Sequence, residues 1–280
     1  MNEKLKEYRE EITAKLVEAI KAGTAPWQMP WNGRSAPQNG ISGRMYRGIN
    51  QIILMAKGAK IDGGEDPRWV TFKQASEKGW KVKKGSKGTH VVLWKPYGTK
   101  DEETGEIEIT GVMQKFFTVF HATQIDGIGK YEPAELNEIE AYDKAEEIIR
   151  NSGAKIYYGG GSAYYSPTKD YIQLPIKGDF KSTEGYYSTL LHELTHWTGH
   201  ASRLNRGFGN EAYEELVAEI GSMFVSSSAG IPQTEGEFQN HASYVDSWLT
   251  AIKHDPNALF KAAADANRAA DYLLKEEKKE

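Results

Sequence analysis

The chain has 280 residues, a net charge of −4 and no cysteine, and 39% of its residues are hydrophobic. At ~150 residues per domain, this length suits two domains. The lack of cysteine excludes disulfides, a thiol nucleophile and thiolate metal sites, so any metal must bind to histidine or carboxylate side chains. No apolar run approaches the ~18 residues of a membrane span, and the N-terminus lacks the apolar stretch of a signal peptide. We therefore expect a cytoplasmic protein without a membrane partner.

Charge divides the chain into two unlike halves. Residues 1–130 hold 21 basic and 15 acidic residues, whereas residues 131–280 hold 14 and 24. The bias is strongest in residues 68–100, with nine basic residues and one acidic residue. This asymmetry favours two domains with different partners. On charge alone, the basic segment fits an anion-binding surface and a solvated lysine-rich face equally well.

The first half is predicted to combine a helix with a small antiparallel sheet. Apolar residues at three-to-four spacing predict a helix over 5–22, which Gly23 and Pro26 end. Residues rich in Val, Phe, Trp and Thr predict strands over 89–97 and 112–125, joined as an antiparallel hairpin across an acidic turn. Shorter predicted elements are a helix over 47–57, a strand over 69–72 and one or two helical turns over 73–78.

The second half is predicted to be a short sheet followed by helices. Gly127–Glu135 bears glycine and proline where the charge changes sign, which is typical of a linker. We therefore predict an α+β protein with domains at 1–127 and 140–280 and a linker at 128–139. The predicted elements of the second domain are a helix over 140–151, strands over 155–159 and 170–174, and helices over 182–198, 211–228, 237–253 and 256–277.

The second domain contains the pattern HExxH, as His192-Glu193-Leu194-Thr195-His196. On a helix, positions i and i+4 project from one face, so both imidazoles can bind one ion. Glu193 lies beside them, where it can take a proton from water at a metal. Two surface histidines on an amphipathic helix are the structural alternative, which we rank second because the pattern lies within a predicted helix.

A catalytic zinc site needs a third protein ligand. His200 continues the four-residue spacing, but on a continuing helix it would lie about 5–6 Å beyond His196 and could not share the ion. The extended pattern HExxHxxGxxH would need histidine at position 202, where this chain has Ser202. We therefore interpret His200 as a helix-end residue.

The better candidate for the third ligand lies on the next predicted helix, in EELVAE at 214–219. Glu215 follows His196 by 19 residues, which is enough for a turn and an antiparallel return. We assign Glu215 as the ligand, with Glu219 on the same face accepting the second N–H of a ligating histidine. The reverse assignment, with Glu219 as ligand, stays open, and Glu214 is interpreted as part of a solvated helix face.

Residues outside the ligand set often stabilise the oxyanion in zinc peptidases. The candidates are His241 and Tyr244, near the start of a predicted helix, although a buried structural role fits His241 equally well. An edge strand within 164–174 is a candidate for pairing with an extended peptide. Zn²⁺ is the default ion for two histidines and a glutamate, with Mn²⁺ or Co²⁺ as alternatives.

The basic half interleaves aromatic and cationic side chains. Single-stranded nucleic acid is bound this way, because cations follow the phosphates and rings stack on bases. Most of these tryptophans fit a core equally well, but we expect Trp27 or Trp31, in a polar loop, to be exposed. The turn KVKKGSKG offers lysines and backbone N–H groups to phosphate. The candidate DNA-binding residues are Trp27, Trp31, Arg44, Arg47, Lys73, Lys81, Lys83, Lys84 and Lys87.

Several segments along the chain carry a family resemblance: APWQMPW, RMYRGIN, WVTFKQASEKGWKVKKGSKGTHVVLWK, FFTVFHATQI, YYSTLLHELTHWTGH, EELVAEIGS and NHASYVDSWLTAIKHDPNALFKAAADANRAADYL. Over nearly its whole length the chain resembles the ArdC-type antirestriction proteins of conjugative plasmids and other mobile elements. The N-terminal module also occurs in plasmid TraC-type primases.

The resemblance implies an N-terminal domain that binds single-stranded DNA and a C-terminal zincin-like metallopeptidase domain of the gluzincin type. By position, it implies His192 and His196 as metal ligands, Glu193 as the general base and Glu215 as the glutamate of the downstream helix. The family protects incoming DNA from host restriction, so the resemblance also implies an antirestriction role.

Two hypotheses from different classes follow. In the first, the protein is a DNA-binding antirestriction factor whose peptidase domain acts on a host restriction protein or another protein. In the second, it is a zinc-dependent endopeptidase whose basic N-terminal domain docks a protein substrate or partner. A gel shift with single-stranded and duplex oligonucleotides over a salt series separates the two. The sequence specifies no oligomeric state.

Overall fold

The computed structural model describes residues 3–23, 25–28, 36–61, 66–100, 107–132, 138–232, 245–246, 248–250, 252, 255 and 257–275. The helices are α1 (Glu3–Lys21), α2 (Ile49–Gly58), α3 (Phe72–Glu77), α4 (Glu138–Ser152), α5 (Thr183–Thr198), α6 (Glu211–Ala229) and α7 (Ala258–Leu274). The strands are β1 (Gln38–Asn39), β2 (Arg68–Thr71), β3 (Lys81–Val82), β4 (Thr89–Lys100), β5 (Ile107–His121), β6 (Ile125–Asp126), β7 (Ile156–Tyr158), β8 (Tyr164–Ser166) and β9 (Tyr171–Leu174). These helices and small sheets confirm the predicted α+β class.

The chain separates into two compact units. The first combines Met1–Ala36, Arg47–Ile52 and Pro133–Glu280, and the second combines Pro37–Tyr46 and Ile53–Glu132. Helix α1 therefore belongs to the first unit, together with the helices of the second half of the chain. The predicted domain boundaries at 127 and 140 stay a prediction.

The second unit is built on a four-stranded sheet in the order β1-β2-β5-β4. Strands β4 and β5 are antiparallel from the pair Thr89 and Val119 to the pair Lys100 and Ile107, which confirms the predicted hairpin. Both strands extend further toward the turn than predicted. Leu54, Trp69, Val91 and Val119 form a buried cluster under this sheet.

The first unit contains a three-stranded sheet in the order β7-β9-β8. The sequence predicted β7 and β9, which are parallel neighbours. It gave no separate bounds for β8, which is antiparallel to β9 and lies within 164–174, where an edge strand was expected. Strand β8 is only three residues long and follows a glycine run, so its sequence has too few apolar positions to show a period. Because β9 is central, β8 forms one edge of this sheet.

Helix α5 has well-defined ends because local residues satisfy its terminal backbone groups. At its start, the backbone N–H of Gly185 donates to Ser182 Oγ over 2.9 Å. Gly199 is the residue at which the helix ends. His200 therefore lies just past the last turn, as predicted, and its Nδ1 is 2.7 Å from Ser202 Oγ.

Helix α6 returns across α5 and packs closely on it. It begins at Asn210, whose side chain accepts the backbone N–H of Tyr213 over 3.1 Å. At Gly221, an added Cβ would lie 2.5 Å from Thr195 Cγ2, a separation that real Cβ atoms do not adopt. Glycine at 221 therefore permits the close approach of the two helices that carry the candidate ligands.

The structure describes only part of the helix that was predicted over 237–253. In the segment where a helix over 237–253 was predicted, residues 245, 246, 248–250 and 252 are helical and the others lie outside the described residues. No described helix combines the length and the apolar composition that a bilayer crossing requires.

Candidate metal centre and basic surface

The structure brings His192, His196 and Glu215 together. Their candidate ligand atoms all lie within 4.8 Å of one another. The two Nε2 atoms are 3.1 Å apart. Each of them is 3.4 Å from a carboxylate oxygen of Glu215, which reaches the pair from α6. The helical spacing of the histidines and the antiparallel return of α6 produce this convergence.

These separations fit a bound divalent metal. Donor atoms ~2.0–2.1 Å from a tetrahedral zinc are separated from one another by roughly 3.3–3.4 Å. The two Nε2 atoms are 3.1 Å apart, His192 Nε2 is 3.4 Å from Glu215 Oε2, and His196 Nε2 is 3.4 Å from Glu215 Oε1. Each of these pairs is spaced close to the edge length of such a tetrahedron, although the two contacts to Glu215 involve different oxygens. Two imidazole nitrogens and a carboxylate that converge on one point form a donor set suited to a cation.

A second pair of carboxylates lies on the far sides of the two imidazole rings. Glu219 Oε1 is 3.7 Å from His192 Nδ1, and Glu214 Oε1 is 3.6 Å from His196 Nδ1. Each ring therefore has Glu215 on its Nε2 side and another glutamate on its Nδ1 side. We call His192, His196, Glu214, Glu215 and Glu219 the histidine–carboxylate cluster.

The interpretation of Glu214 as a solvated residue is wrong. Its side chain is 4% exposed and accepts hydrogen bonds from Arg206, whose Nη2 is 2.5 Å from Oε1 and whose Nε is 3.2 Å from Oε2. Arg206 also donates to Thr195 O and Thr198 Oγ1, both over 2.7 Å. Periodicity missed this pair because a buried glutamate becomes favourable only when a distant cation reaches it.

Gly199 leaves room for this arginine. A Cβ at that position would lie 2.8 Å from Arg206 Nη2 and 3.1 Å from Glu214 Oε1. The sequence signal that could have found the pair is an arginine in the connection between two largely buried helices, close to a helix start rich in glutamate.

The cluster shifts the pKa values of His192, His196 and Glu215. Burial by itself lowers the pKa of His196, but the carboxylates of Glu214 and Glu215 outweigh it and raise the pKa to about 10. Burial likewise opposes the raised pKa of His192, which the contact with Glu215 produces. The pKa of Glu215 is lowered, because the two histidines outweigh the effect of burial. A metal that binds here must therefore displace protons from the imidazoles.

Glu193 lines the same cavity as the cluster. This cavity has a volume of about 800 Å³ and is also lined by residues of β8, including Tyr164 and Tyr165. Glu193 is 7% exposed, so it is buried at the cavity wall. The other predicted groups of this region, His241 and Tyr244, lie outside the described residues.

The prediction that Trp27 is exposed is wrong. Trp27 is 0% exposed, and its ring packs edge-on against Trp248 with the centroids 5.9 Å apart. The short 3₁₀ helix Pro26–Gln28 turns this indole inward, so burial of its large apolar surface outweighs the polarity of the loop. Trp31, the other tryptophan of this prediction, lies outside the described residues.

The predicted DNA-binding cations belong to both compact units. Arg44 and the lysines of the list, Lys73, Lys81, Lys83, Lys84 and Lys87, are exposed residues of the second unit. Arg47 belongs to the first unit, where it forms an ion pair with Asp271 and its Nε donates to Asn267 Oδ1 over 3.2 Å.

Two of the predicted lysines have specific partners. The Nζ of Lys83 donates to Thr123 O over 2.8 Å and lies 3.8 Å from Asp126, and the Nζ of Lys73 lies 3.7 Å from Glu77. Among the five predicted DNA-binding lysines, we therefore expect Lys81, Lys84 and Lys87 to contribute most to the positive charge that is available to phosphate.

Two family profiles match successive parts of the chain. The profile of the zincin-like metallopeptidase family matches residues 143–265, and the profile of the N-terminal domain of anti-restriction factor ArdC matches residues 6–120. The crystal structure of the antirestriction ArdC protein from plasmid R388, in metal-free form, is 39% identical to this chain. That likeness covers 96% of both chains with a TM-score of 0.77. The chain belongs to the ArdC antirestriction family.

Two other relatives extend this comparison. The Mn(II)-bound structure of the R388 ArdC protein is 38% identical, covers 95% of this chain and 97% of that protein, and has a TM-score of 0.76. DNA primase TraC of Escherichia coli is 43% identical over all of this chain, but the chain spans only 28% of the primase. A second TraC primase of the same species is 42% identical, and the chain spans 20% of it.

The ArdC family match also bears on how the basic half is organised. The ArdC N-terminal profile includes α1, which groups with the first unit, and the four-stranded sheet of the second unit. In this ArdC-family chain the N-terminal sequence module therefore extends beyond one compact unit. The zincin-like profile includes α5 and α6 and with them every member of the histidine–carboxylate cluster.

Proposed function

We propose that this protein is an antirestriction factor of a mobile element that binds single-stranded DNA and carries a metal-dependent peptidase. One observation carries the peptidase half: the ligand atoms of His192, His196 and Glu215 converge within 4.8 Å, in the cavity that Glu193 also lines. A structural metal site would not need a buried glutamate beside the ligands, so the presence of Glu193 favours a catalytic site.

The metal ligands in this proposal are His192, His196 and Glu215. Glu219 and Glu214 orient the two imidazoles from their outer sides, with Oε1 atoms 3.7 and 3.6 Å from the Nδ1 atoms of His192 and His196. The position of Glu219 on the outer side of the His192 ring supports Glu215 over Glu219 as ligand. Zn²⁺ is the ion that we expect for this donor set, and the Mn(II)-bound relative makes Mn²⁺ the first alternative, with Co²⁺ the second. The bound ion would supply Lewis acidity for peptide hydrolysis.

The remaining chemistry falls to side chains and backbone of this chain. Glu193 takes a proton from the attacking water and returns it to the amine that leaves. Its burial keeps that proton within the cavity rather than exchanging it with bulk solvent. Strand β8 borders the same cavity at the edge of its sheet and offers backbone groups that can align an extended peptide.

The decisive variant for the peptidase is Glu193→Gln, which removes the base and keeps the shape of the side chain. We expect the rate at which the protein hydrolyses unfolded protein substrates to fall ~10²–10⁴-fold. Mass spectrometry of the new chain termini measures this rate. Metal content should stay at the wild-type value. The matched control is Glu147→Gln, an exposed glutamate of α4. Equal hydrolysis by the wild-type protein and Glu193→Gln would refute the proposed role.

Single-stranded DNA binding is supported by the basic and aromatic character of the second unit and by the ArdC N-terminal family match. A gel shift of the full-length protein with single-stranded and duplex oligonucleotides tests it, and we expect affinity for the single strand to fall as salt rises. If the protein does not bind oligonucleotides at low salt, the result favours the alternative, in which the protein is a zinc endopeptidase whose basic part docks a protein substrate or partner.

An antirestriction assay in cells compares the two activities directly. We expect Glu193→Gln to keep protecting incoming DNA and a variant without Lys81, Lys83, Lys84 and Lys87 to lose protection, because the basic surface addresses DNA itself. The opposite result would mean that protection depends on cleaving a host restriction protein or another protein.

A further inference from the structure

The β4–β5 hairpin extends beyond the sheet that anchors it. Strand β2 pairs with β5 only at residues 119–121, whereas β4 pairs with β5 from Thr89 and Val119 to Lys100 and Ile107. Outside that short anchor, the hairpin is a two-stranded ribbon. A ribbon of this kind is marginally stable by itself, so large apolar side chains exposed on it need an explanation.

One side of this ribbon continues the core face of the sheet into solvent. Val91 and Val119 lie in the buried cluster, and the cross-strand pairs beyond them place six more residues on the same side. The four apolar ones are between 40% and 55% exposed. We call these six residues the ribbon face: Leu93, Lys95, Tyr97, Met113, Lys115 and Phe117.

The ribbon face alternates apolar groups and cations in a regular pattern. Lys115 lies directly opposite Leu93, and Lys95 lies directly opposite Met113. Successive pairs on one side of a sheet are about 6.6–6.8 Å apart along the strands. The two lysines therefore lie diagonally between the ring of Phe117 at one end and the ring of Tyr97 at the other.

The charge of the ribbon is complementary to an anion. Residues 89–98 and 110–121 contain Lys95 and Lys115 and no aspartate or glutamate. The acidic residues of the hairpin all lie at 101–108, in the connecting segment and at the start of β5, and their negative charge repels phosphate. An anionic partner is therefore expected to contact the anchored part of the ribbon.

We propose that the ribbon face is the base-stacking surface for single-stranded DNA. Tyr97 and Phe117 stack on bases, while Lys95 and Lys115 contact the phosphates between them. The inference rests on the proposed DNA-binding function and names the surface that performs it. It also replaces Trp27, which is buried, as the source of aromatic contacts.

A second copy of the chain is a poorer occupant of this surface. A two-fold contact between two ribbon faces would bring four lysines together and remove them from water, and like charges at close range are unfavourable. A single strand of DNA instead offers a phosphate for each lysine and an aromatic surface for each ring.

The test measures binding of fluorescein-labelled oligothymidine to the full-length protein over a salt series. Tyr97→Ser and Phe117→Ser should each weaken binding roughly 5- to 150-fold at every salt concentration, the effect of removing one stacking contact. The salt dependence should stay unchanged, because no charge is removed. The matched control is Tyr157→Ser, an equally exposed tyrosine of the first unit.

The double variant Lys95→Gln/Lys115→Gln tests the same surface without touching an apolar contact, so it stays informative if an aromatic variant does not fold. We expect its log–log salt slope to be smaller by roughly 1.4, from ~0.7 per phosphate contact. The inference would be wrong if Tyr97→Ser, Phe117→Ser and the double lysine variant all fold and bind oligothymidine as tightly as the wild-type protein does. The proposed DNA-binding function would not be affected by that result.

Two other outcomes would also decide against the ribbon face. If the wild-type protein does not bind oligothymidine, the DNA-binding half of the proposed function fails together with this inference. If the ribbon variants bind DNA normally but convert a dimer to a monomer in sedimentation, a second copy occupies the surface and the inference is wrong.

Discussion

The histidine–carboxylate cluster and the ribbon face hold their charges in opposite ways. Around the histidines, the side chains of Glu214, Glu219 and Arg206 are at most 4% exposed, and each lies within 4 Å of an oppositely charged or chargeable group. On the ribbon face, Lys95 and Lys115 are exposed and their cross-strand neighbours are apolar.

This difference separates two kinds of binding site. Burial makes an unpaired charge costly, so each group of the cluster must keep its partners and the geometry is preorganised for one small cation. An exposed lysine costs little free energy when it has no partner. Several exposed lysines bind a flexible polyanion through their number and spacing. Changes in the cluster should therefore have large and specific effects, and changes on the surface should have graded ones.

The largest expected effect concerns the metal. Glu215→Gln removes one of three ligands and should weaken metal binding by more than ~100-fold, whereas Glu219→Gln removes an outer partner and should weaken it only ~10–100-fold. Competition with a chromophoric chelator measures both constants. The reverse order of the two variants would identify Glu219 as the ligand.

The second effect concerns the buried arginine. Arg206→Met removes the guanidinium that pairs with the buried Glu214 and should lower the free energy of unfolding by about 3–5 kcal/mol. Urea unfolding measures this loss, with Arg150→Met on the exposed side of α4 as control. The double variant Arg206→Met/Glu214→Gln should recover part of the stability. No recovery would mean that the hydrogen bonds of Arg206 to α5 matter more than its pairing with Glu214.

The third effect is graded and belongs to the lysine-rich turn. If three or four of the lysines contact phosphate, changing Lys81, Lys83, Lys84 and Lys87 to Ala should lower the log–log salt slope for single-stranded DNA by roughly 2–3. Among single variants, Lys84→Ala should reduce the slope more than Lys83→Ala, because Lys83 already has Thr123 and Asp126 as partners. Lys57→Ala, an exposed lysine of α2, is the control. A larger effect for Lys83 would contradict the ranking.

The smallest effect is a dependence of stability on pH. Hydrogen bonding by Arg203, assisted by Tyr165, lowers the pKa of Asp170 to about 2 from an ordinary value of 3.8. The stabilisation is therefore fully present above about pH 4 and is lost as the pH falls through about 2. Because the carboxylate is 37% exposed, we expect Asp170→Asn to cost about 1 kcal/mol or less at neutral pH. Urea unfolding of both proteins across this range should show the difference shrinking in acid, and a constant difference would contradict it.

The sequence by itself determined the features that depend on short-range spacing. The i, i+4 relation put both histidines on one face of a helix because a turn holds 3.6 residues, whatever surrounds it. Segments rich in Val, Phe, Trp and Thr likewise predicted the β4–β5 hairpin. The 19-residue spacing from His196 to Glu215 suggested an antiparallel return, and in the structure these side chains meet.

Only the tertiary structure decided which polar and aromatic residues are buried. Trp27 lies in a polar loop by sequence, yet it packs on Trp248 from a distant part of the chain. Glu214 has the sequence context of a solvated glutamate, but in the fold it is buried and paired with Arg206. The rings of Tyr97 and Phe117 are exposed, although their sequence is typical of a core strand. Hydrogen bonds within a helix or hairpin join nearby residues and leave a period in the sequence. Burial is set by which distant segments pack together, and spacing along the chain does not encode that packing.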